Sequence, residues 1–251
     1  MRRVLKMGAA VLAFGLIALL LVVTNGLTGN PVSKWIAHNA AEKYLAETYP
    51  NQNLQVSQTN YSFKTGSYLS AVSSPDSIDT HFTLDISMTG KILYDRYESH
   101  VLSGFNTWQR MDTEYRQAVD RVLETLPYSF SIAYGTLAEK SDEESGYGLE
   151  KLELDYNYDI WKLGSEAGKI VLYLDADTAD AKTAAQILTD VRNAFDASGV
   201  SFRAIDLELQ AGDHHFNMRN VSQFLLDQPS LAESLEENAA QTEEYYQQQD
   251  Q

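Results

Sequence analysis

The N-terminal segment constrains this chain more than any other part of its sequence. An uncharged and strongly apolar stretch runs from Met7 to Leu27. A helix rises about 1.5 Å per residue, so about 20 apolar residues make a helix of roughly 30 Å, which matches the hydrocarbon thickness of a bilayer. Later segments are all shorter than that. The sequence therefore predicts a single-pass membrane protein whose remaining residues fold on one side of the membrane.

The charges around this stretch predict its orientation. Arg2, Arg3 and Lys6 precede it, and no comparable cluster follows. By the positive-inside rule, the N-terminus is cytoplasmic and the folded part lies outside the cytoplasm. The alternative is a secretory signal cleaved after Gly26 or Gly29. Such signals have an apolar core of only about 7 to 15 residues, which favours a retained anchor.

The composition excludes several classes of protein. The chain has no cysteine, which excludes disulfides, thiolate nucleophiles, iron-sulfur clusters and lipoprotein acylation. Its 35 acidic residues outnumber 19 Lys and Arg and give a net charge of -16. Nucleic acid is therefore not expected as a partner, because phosphate neutralisation needs clustered cations. The same sign argues against the folded part lying on anionic lipid.

A length of 251 residues suits two compact units after the anchor, which occupies residues 1–28. The first is predicted over residues 29–126 with the order α-β-β-β-α. Asn30 and Pro31 are suited to the cap and first turn of a helix that runs to about Thr48. Extended segments are predicted to follow at residues 54–63, 68–73, 82–88 and 92–94. They are expected to form an antiparallel sheet.

The helix that closes this first unit is predicted from an apolar stripe. Asp112 or Thr113 is the expected cap of its last part. The stripe consists of Met111, Tyr115, Ala118, Val119 and Val122.

The second unit is predicted over residues 127–229 with the order β-β-β-α-β. Strands are expected at residues 128–134, 152–160, 170–174 and 200–209. The helix, over about residues 178–197, is expected to be capped by Asp177 or Thr178 and to end at Gly199. A short helix is expected near residues 220–226. Both units are thus α+β, with antiparallel sheets covered by helices.

Two further segments are predicted to lack regular structure. The acidic residues 139–146 read as a hydrated, mobile loop, since like charges repel each other. Residues 230–251 form a polar tail. Its start resembles a capping box, but the glutamine-rich end is expected to fray and to be partly disordered.

Three segments of the sequence resemble a known family. They are AEKYLAETYP at residues 41–50, YSFKTGSYLSAVSSPDSIDTHF at 61–82 and VLSGFNTWQRMDTEYR at 101–116, preceded by Gly29-Asn30-Pro31. On these residues the chain resembles the YfjL-like family of membrane-anchored proteins of Gram-positive bacteria. The resemblance implies two tandem extracytoplasmic domains and a bacterial source. It supplies no catalytic residues.

The common catalytic and metal-binding signatures are absent from the sequence. Asp213-His214-His215 is the one paired-histidine feature, and a polar turn explains it better than a metal site. Asp175, Asp177 and Asp180 lack the glycine and distal glutamate of a calcium loop. Serine-nucleophile and phosphate-loop motifs are missing as well. We therefore assign no catalytic, metal or cofactor-binding residues and expect no cofactor.

One segment has the composition of a recognition surface. It combines aromatic, amide and cationic side chains next to Gly104; a structural joint between the two units explains it equally well. The candidate residues are Phe105, Asn106, Trp108, Gln109 and Arg110.

The sequence favours a non-enzymatic function. Our prediction is a membrane-anchored extracytoplasmic binding or interaction module, accessory to an envelope protein or peptide. The alternative is an envelope hydrolase with an unrecognised acidic site, which would need displaced carboxyl pKa values in one cleft. An exposed sheet edge favours the first hypothesis and a deep polar pocket the second.

Overall fold

The computed structural model describes residues 2–137 and 152–249. The chain divides after Asn106 into two compact units, the first ending there and the second beginning at Thr107. Each unit contains one four-stranded sheet. The predicted acidic loop at 139–146 lies outside the described residues.

The predicted apolar segment forms a single helix, α1 (Arg2–Thr28). Among the described residues, one helical segment is long and apolar enough to cross a membrane, Val11–Thr48, which begins within α1; the mean hydropathy of its most apolar window is 2.3 and no residue of that window is buried. Length and composition of this kind suit a membrane span or a signal segment. They leave its orientation open.

The first unit is a helix followed by an antiparallel meander. The helix α2 (Pro31–Thr48) begins where the sequence predicts, because the Asn30 side chain accepts a hydrogen bond from the Ser33 N–H. A short π-helical segment, Glu98–Leu102, follows the last strand. The strands, in the order β1-β2-β3-β4, are β1 (Gln55–Ser62), β2 (Ser67–Ser74), β3 (Ser77–Ile86) and β4 (Ile92–Asp95).

The core of this unit lies between α2 and one face of the sheet. Small residues on the helix let its backbone approach the strands closely, and large side chains of β2 and β3 fill the space. The buried residues of this core are Ala37, Ala41, Leu45, Tyr68, Val72, Phe82, Leu84, Ile86 and Val101.

The helix α3 (Phe105–Leu123) differs from its prediction. It is continuous, and Asp112 caps nothing within it; the Asp112 Oδ1 atom instead accepts hydrogen bonds from the Leu137 N–H and the Thr136 hydroxyl. Its apolar stripe, predicted to close the first unit, packs in the core of the second. The division between units therefore falls after Asn106 and not at 126/127, because packing partners rather than sequence order decide membership.

The second unit has a mixed sheet with strand order β5-β6-β7-β8. Its outer strands are antiparallel to their neighbours, whereas β6 and β7 are parallel because α5 crosses between them. The elements are β5 (Phe130–Leu137), α4 (Ile160–Ala167), β6 (Gly168–Asp175), α5 (Ala181–Ser198), β7 (Ala204–Ala211), β8 (His214–Ser222), α6 (Gln223–Leu226) and α7 (Leu231–Gln249). The α+β class is confirmed, with β-α-β-α-β-β in place of the predicted order.

The strand predicted at 152–160 does not form. Residues 152–159 are turn and irregular backbone, and Ile160 begins α4. Asp155 has a left-handed backbone (φ 57°), which interrupts an extended chain, and the Asp159 carboxylate caps α4 by accepting from the N–H groups of Trp161 and Lys162. Alternation of apolar and polar residues was misleading here because local turn chemistry overrides it.

The cap of α5 also differs from its prediction. Asp180, and not Asp177 or Thr178, is the N-cap, and its carboxylate accepts a hydrogen bond from the Thr183 N–H at 2.8 Å. That bond, with others to the same turn, lowers the pKa of the Asp180 carboxyl. The predicted end at Gly199 is confirmed, with φ 72°.

The C-terminal segment, predicted as a polar and partly disordered tail, contains the helix α7 over Leu231–Gln249, which packs on the second core. In α7 the side chain of Leu235 is fully buried in the second core. Its Asn238 amide bonds the outer edge of β8, accepting from the Arg219 N–H at 3.2 Å and donating to the Arg219 carbonyl at 3.0 Å. Most residues of α7 are polar, but a narrow apolar stripe along it packs against the second core beside β8.

Replacing Asn238 with Ala should destabilise the protein measurably. The change leaves the two backbone groups of Arg219 without their amide partner, which we expect to cost about 1 to 3 kcal/mol in the free energy of unfolding. Glu237→Ala, at the neighbouring exposed position of the same helix, is the control. Urea unfolding followed by circular dichroism measures both variants, and equal stability would show that α7 does not cap this edge.

Candidate functional site

The outer strand β1 leaves one edge of the first sheet open. Within the described part of the chain β1 pairs only with β2, and its pairing contains one irregularity, between Val56 and Gln58. Its eight residues, Gln-Val-Ser-Gln-Thr-Asn-Tyr-Ser, include no charged residue and no proline. Proteins usually protect edges with charges, proline, bulges or a covering element, and of these β1 has only the irregularity between Val56 and Gln58. A long uncharged edge is therefore available to pair with another strand.

The other sheet edges differ from β1. The strand β8 is covered through Asn238 of α7, and β4 has only four residues. The strand β5 is also uncharged, but Asp112 already accepts the Leu137 N–H at its end, and the residues that follow it lie outside the described ranges. One bound N–H at its end leaves the other residues of β5 uncovered, so β1 and β5 are both long uncharged edges among the described strands, and a groove lies beside β1.

A groove of about 550 Å³ runs beside the first half of β1, against the C-terminal half of α2. Side chains on an added strand would alternate, so every second one would point to the helix side, and those opposite Gln55 and Val56 could enter this groove. The groove is lined by Glu42, Leu45, Ala46, Tyr49, Pro50, Gln52, Leu54, Gln55 and Val56.

A carboxylate surrounded by tyrosines forms the structural support of the groove. The Oδ2 atom of Asp95 accepts hydrogen bonds from the hydroxyls of Tyr44 at 3.0 Å and Tyr49 at 2.7 Å. Its Oδ1 atom accepts from the Tyr97 N–H at 2.8 Å, and the Gln52 amide donates to the Tyr97 hydroxyl at 2.9 Å. These bonds join the end of α2 to the end of β4. We call Tyr44, Tyr49, Asp95 and Tyr97 the tyrosine cluster.

Tyr49 is the centre of the tyrosine cluster. Its ring centroid lies 4.7 Å from that of Tyr97, 6.1 Å from that of Phe82 and 6.3 Å from that of Tyr44. Burial, followed by the hydrogen bond to Asp95, raises the pKa of Tyr49 and also that of Tyr44. Both hydroxyls therefore stay neutral at physiological pH and act as donors. The bond to Asp95 positions Tyr49, which lines the groove, and the raised pKa does not favour either hydroxyl as a nucleophile.

Part of the segment predicted as a recognition surface is internal. Asn106 is buried, and its amide donates to the carbonyls of Asp79 at 2.9 Å and His81 at 2.5 Å. Phe105 is half-buried, with its ring 5.5 Å from that of His100. These two side chains serve the packing of the first unit.

The other three predicted residues lie on α3 within the second unit. Trp108 is half-buried, and the Arg110 guanidinium donates to the Tyr156 carbonyl at 2.9 Å and lies 3.7 Å from Glu114. Gln109 is exposed. A recognition role for this segment stays a prediction.

The histidine and aspartate candidates are dispersed. His214 begins β8, and the His215 Nδ1 atom lies 3.4 Å from a Glu208 carboxylate oxygen. Over residues 2–137 and 152–249, no group of three or more His, Asp or Glu side chains is arranged to hold a metal ion.

Sequence reasoning missed the tyrosine cluster and the open edge. The cluster has no local signature, because Asp95 is separated by 51 and 46 residues from Tyr44 and Tyr49. The edge did have one: eight consecutive strand residues without charge, in a chain of which 22% is charged. Only the strand order shows that these residues lie at an edge.

The fold defines a class of protein: an apolar N-terminal helix followed by two α+β units with four-stranded sheets. Residues 4–96 match the family described as YfjL-like, N-terminal domain, and residues 114–236 match the YfjL-like C-terminal domain. The chain belongs to the YfjL-like family. No curated protein and no solved structure matches it.

Replacing Tyr49 with Phe should weaken the first unit without disturbing the ring contacts. The variant loses the hydrogen bond to Asp95, which we expect to cost about 1 kcal/mol at neutral pH. Tyr94→Phe, in a half-exposed side chain of β4, is the control.

The pH dependence gives a second test of the same bond. Because folding raises the pKa of Tyr49, its stabilisation is present below the unfolded value of about 10 and is lost as the pH rises above it. The advantage of the unmodified chain over Tyr49→Phe should therefore shrink in alkali. Urea unfolding between pH 7 and 11 measures this, and a constant difference would contradict the assignment.

Proposed function

We propose that this protein is a non-enzymatic interaction module, held at the outer face of a membrane by α1, that binds an extended segment of an envelope protein along β1. The observation that carries the proposal is the open and uncharged edge of β1 beside the groove. Strand addition obtains affinity from main-chain hydrogen bonds and specificity from pockets for alternate side chains.

The composition of β1 favours pairing with a specific partner strand over aggregation of the free protein. Gln55, Ser57, Gln58 and Asn60 are polar and exposed, so the free edge stays hydrated without a partner. Tethering to a membrane raises the effective concentration of the module near a membrane partner. A single strand with modest intrinsic affinity would therefore suffice.

The anchoring part of the proposal rests on α1 and the charges that flank it. Arg2, Arg3 and Lys6 precede the apolar residues, and the part that follows is acidic overall. The positive-inside rule favours a cytoplasmic N-terminus and two units outside the cytoplasm.

The hydrolase hypothesis requires a carboxyl with a raised pKa in a cleft. Asp180 is a carboxyl whose pKa is displaced, but its shift is downward and helix capping explains it. The groove beside β1 is lined by one tyrosine, Tyr49, and by one carboxylate, Glu42, which is exposed and lies 3.5 Å from the His38 ring. These features favour binding over acid-base chemistry.

The orientation can be tested with single cysteines, since the chain has none. Asp76→Cys places a thiol in the exposed turn between β2 and β3. We expect a membrane-impermeant maleimide to label it in intact cells. Val4→Cys, which keeps all three N-terminal charges, should react only after the cells are permeabilised; the reverse pattern would contradict the orientation.

Photo-crosslinking in intact cells tests the proposed binding edge. A benzophenone amino acid at Ser57 of β1 should yield a crosslinked protein of defined mass, whereas the same group at Leu93, exposed on β4, should not. Adding Gln55→Lys and Gln58→Lys should abolish the product, because charges on an edge oppose strand pairing.

Two results would contradict the proposed edge. Equal products from Ser57 and Leu93 would mean that β1 has no special role. A product of twice the mass of the chain would mean that a second copy, and not an envelope protein, occupies the edge.

A further inference from the structure

The first unit has one end at which two strand turns and the start of α2 come together. Tyr68, the second residue of β2, pairs with Tyr61 of β1 and with Ile86 of β3, so the β1–β2 and β3–β4 turns lie at the same end of the sheet. The Tyr68 hydroxyl accepts from the Asn30 N–H at 2.9 Å and donates to the Asn30 carbonyl at 3.0 Å. We call this end, formed by residues 31–35, 63–66 and 87–91, the hairpin end.

The last turn of α1 is bonded to the hairpin end. The Tyr61 hydroxyl donates to the Gly26 carbonyl at 3.0 Å, and the Asn30 amide donates to the Asn25 side chain at 2.9 Å. Gly29 adopts φ 69°, and a Cβ there would lie 2.7 Å from the Tyr61 ring, so only glycine fits the joint. The unit is thus mounted on α1 by hydrogen bonds rather than by a flexible linker.

The hairpin end carries cations in an otherwise acidic chain. Lys34, Lys64 and Lys91 are exposed there, one from each of the three segments, and none of them forms an ion pair with another described residue. The nearest acid along the strands is Asp85, which is half-buried on the sheet.

The acidic residues at the opposite end complete this asymmetry. Glu47 is in the last turn of α2, Asp76 is in the β2–β3 turn and Glu98 follows β4. The unit therefore has a basic end next to α1 and an acidic end away from it.

Exposed apolar side chains accompany the lysines. Val32 and Trp35 lie on the first turns of α2 with 66% of their surfaces exposed, and Phe63 lies in the β1–β2 turn with 64% exposed. Trp and Lys next to a transmembrane helix are typical of the interface between lipid and water, where the ring contacts acyl chains and the ammonium group meets phosphates.

We infer that the hairpin end is a lipid-binding surface that rests on anionic phospholipid headgroups of the outer leaflet. Trp35 and Phe63 enter the headgroup layer, while Lys34, Lys64 and Lys91 pair with phosphates. This inference rests on the proposed anchoring by α1. The net charge of -16 by itself predicts repulsion from anionic lipid. Salt screens exposed charges that lie more than about 10 Å from the lipid surface, so the charges at the hairpin end determine whether the contact is attractive.

Such a contact would set the position of the binding edge. The strand β1 begins at the acidic end and finishes at the hairpin end, and its eight residues span roughly 25 Å. The groove beside Tyr49 and Gln52 is next to the start of β1. The edge would therefore stand upright from the membrane with its groove held away from the lipid.

Site-specific fluorescence quenching of the full-length protein in lipid nanodiscs tests the inference. Single cysteines are labelled with NBD at Thr65→Cys in the β1–β2 turn and at Asn51→Cys in the exposed turn after α2, which is the control. Headgroup-spin-labelled lipid should quench position 65 and not position 51, and more strongly with phosphatidylglycerol than with phosphatidylcholine alone. Equal quenching at 65 and 51 would overturn the inference.

A third label separates this inference from the anchoring on which it rests. NBD at Leu16→Cys in α1 should be quenched by acyl-chain-labelled lipid. Quenching at 16 without quenching at 65 would refute only the lipid-binding surface. No quenching at 16 would refute the anchoring itself.

Charge substitution tests the role of the lysines. Lys34→Gln, Lys64→Gln and Lys91→Gln together should remove the extra quenching that phosphatidylglycerol produces at position 65. A control with the same change in net charge replaces Lys43, Lys162 and Lys182, which are exposed and do not belong to the hairpin end, and should retain it. If both triple variants lose the effect equally, the hairpin end has no specific part in it.

Discussion

The hydroxyl of Tyr68 makes the contact on which the first unit depends. It is almost fully buried, and it bonds both backbone groups of Asn30, the residue that caps α2 and follows α1. One side chain from the second strand thus ties the joint between α1 and α2 to the sheet. Removing the hydroxyl would leave the half-buried Asn30 N–H without this acceptor, whereas the Asn30 carbonyl would keep its bond from the Lys34 N–H. The orientation of the sheet relative to α1 follows from this contact.

The outer strands of the two sheets differ in whether another element covers them. This difference points to β1 as the place where a partner could bind. In the second unit a helix of polar composition covers β8 and satisfies its backbone through Asn238. In the first unit β1, with eight residues against nine in β8, is left open and uncharged, next to a groove that Tyr49 of the tyrosine cluster lines. An open edge is a liability in solution, so its retention is more readily understood as a place for a partner strand.

The lysines at the hairpin end show that the net charge of a chain does not predict the charge of each of its surfaces. A net charge of -16 predicts repulsion from anionic lipid, yet the fold gathers Lys34, Lys64 and Lys91 at the one end where α1 enters. These positions are far apart in the chain and no sequence pattern joins them. Net charge describes long-range behaviour, whereas contact with a surface depends on charges within a Debye length.

The sequence by itself determined the apolar helix α1, the capped start of α2 at Asn30, the meander of the first unit and the α+β class, because hydrophobic length, capping chemistry and strand alternation are local properties. Only the tertiary structure decided that α3 packs with the second sheet, that residues 152–159 are not a strand and that the polar C-terminal segment is a packed helix. It also decided that β1 lies at an edge and that Asp95 meets Tyr44 and Tyr49. Each of these depends on partners distant in sequence, and residues cannot specify such partners by their own periodicity.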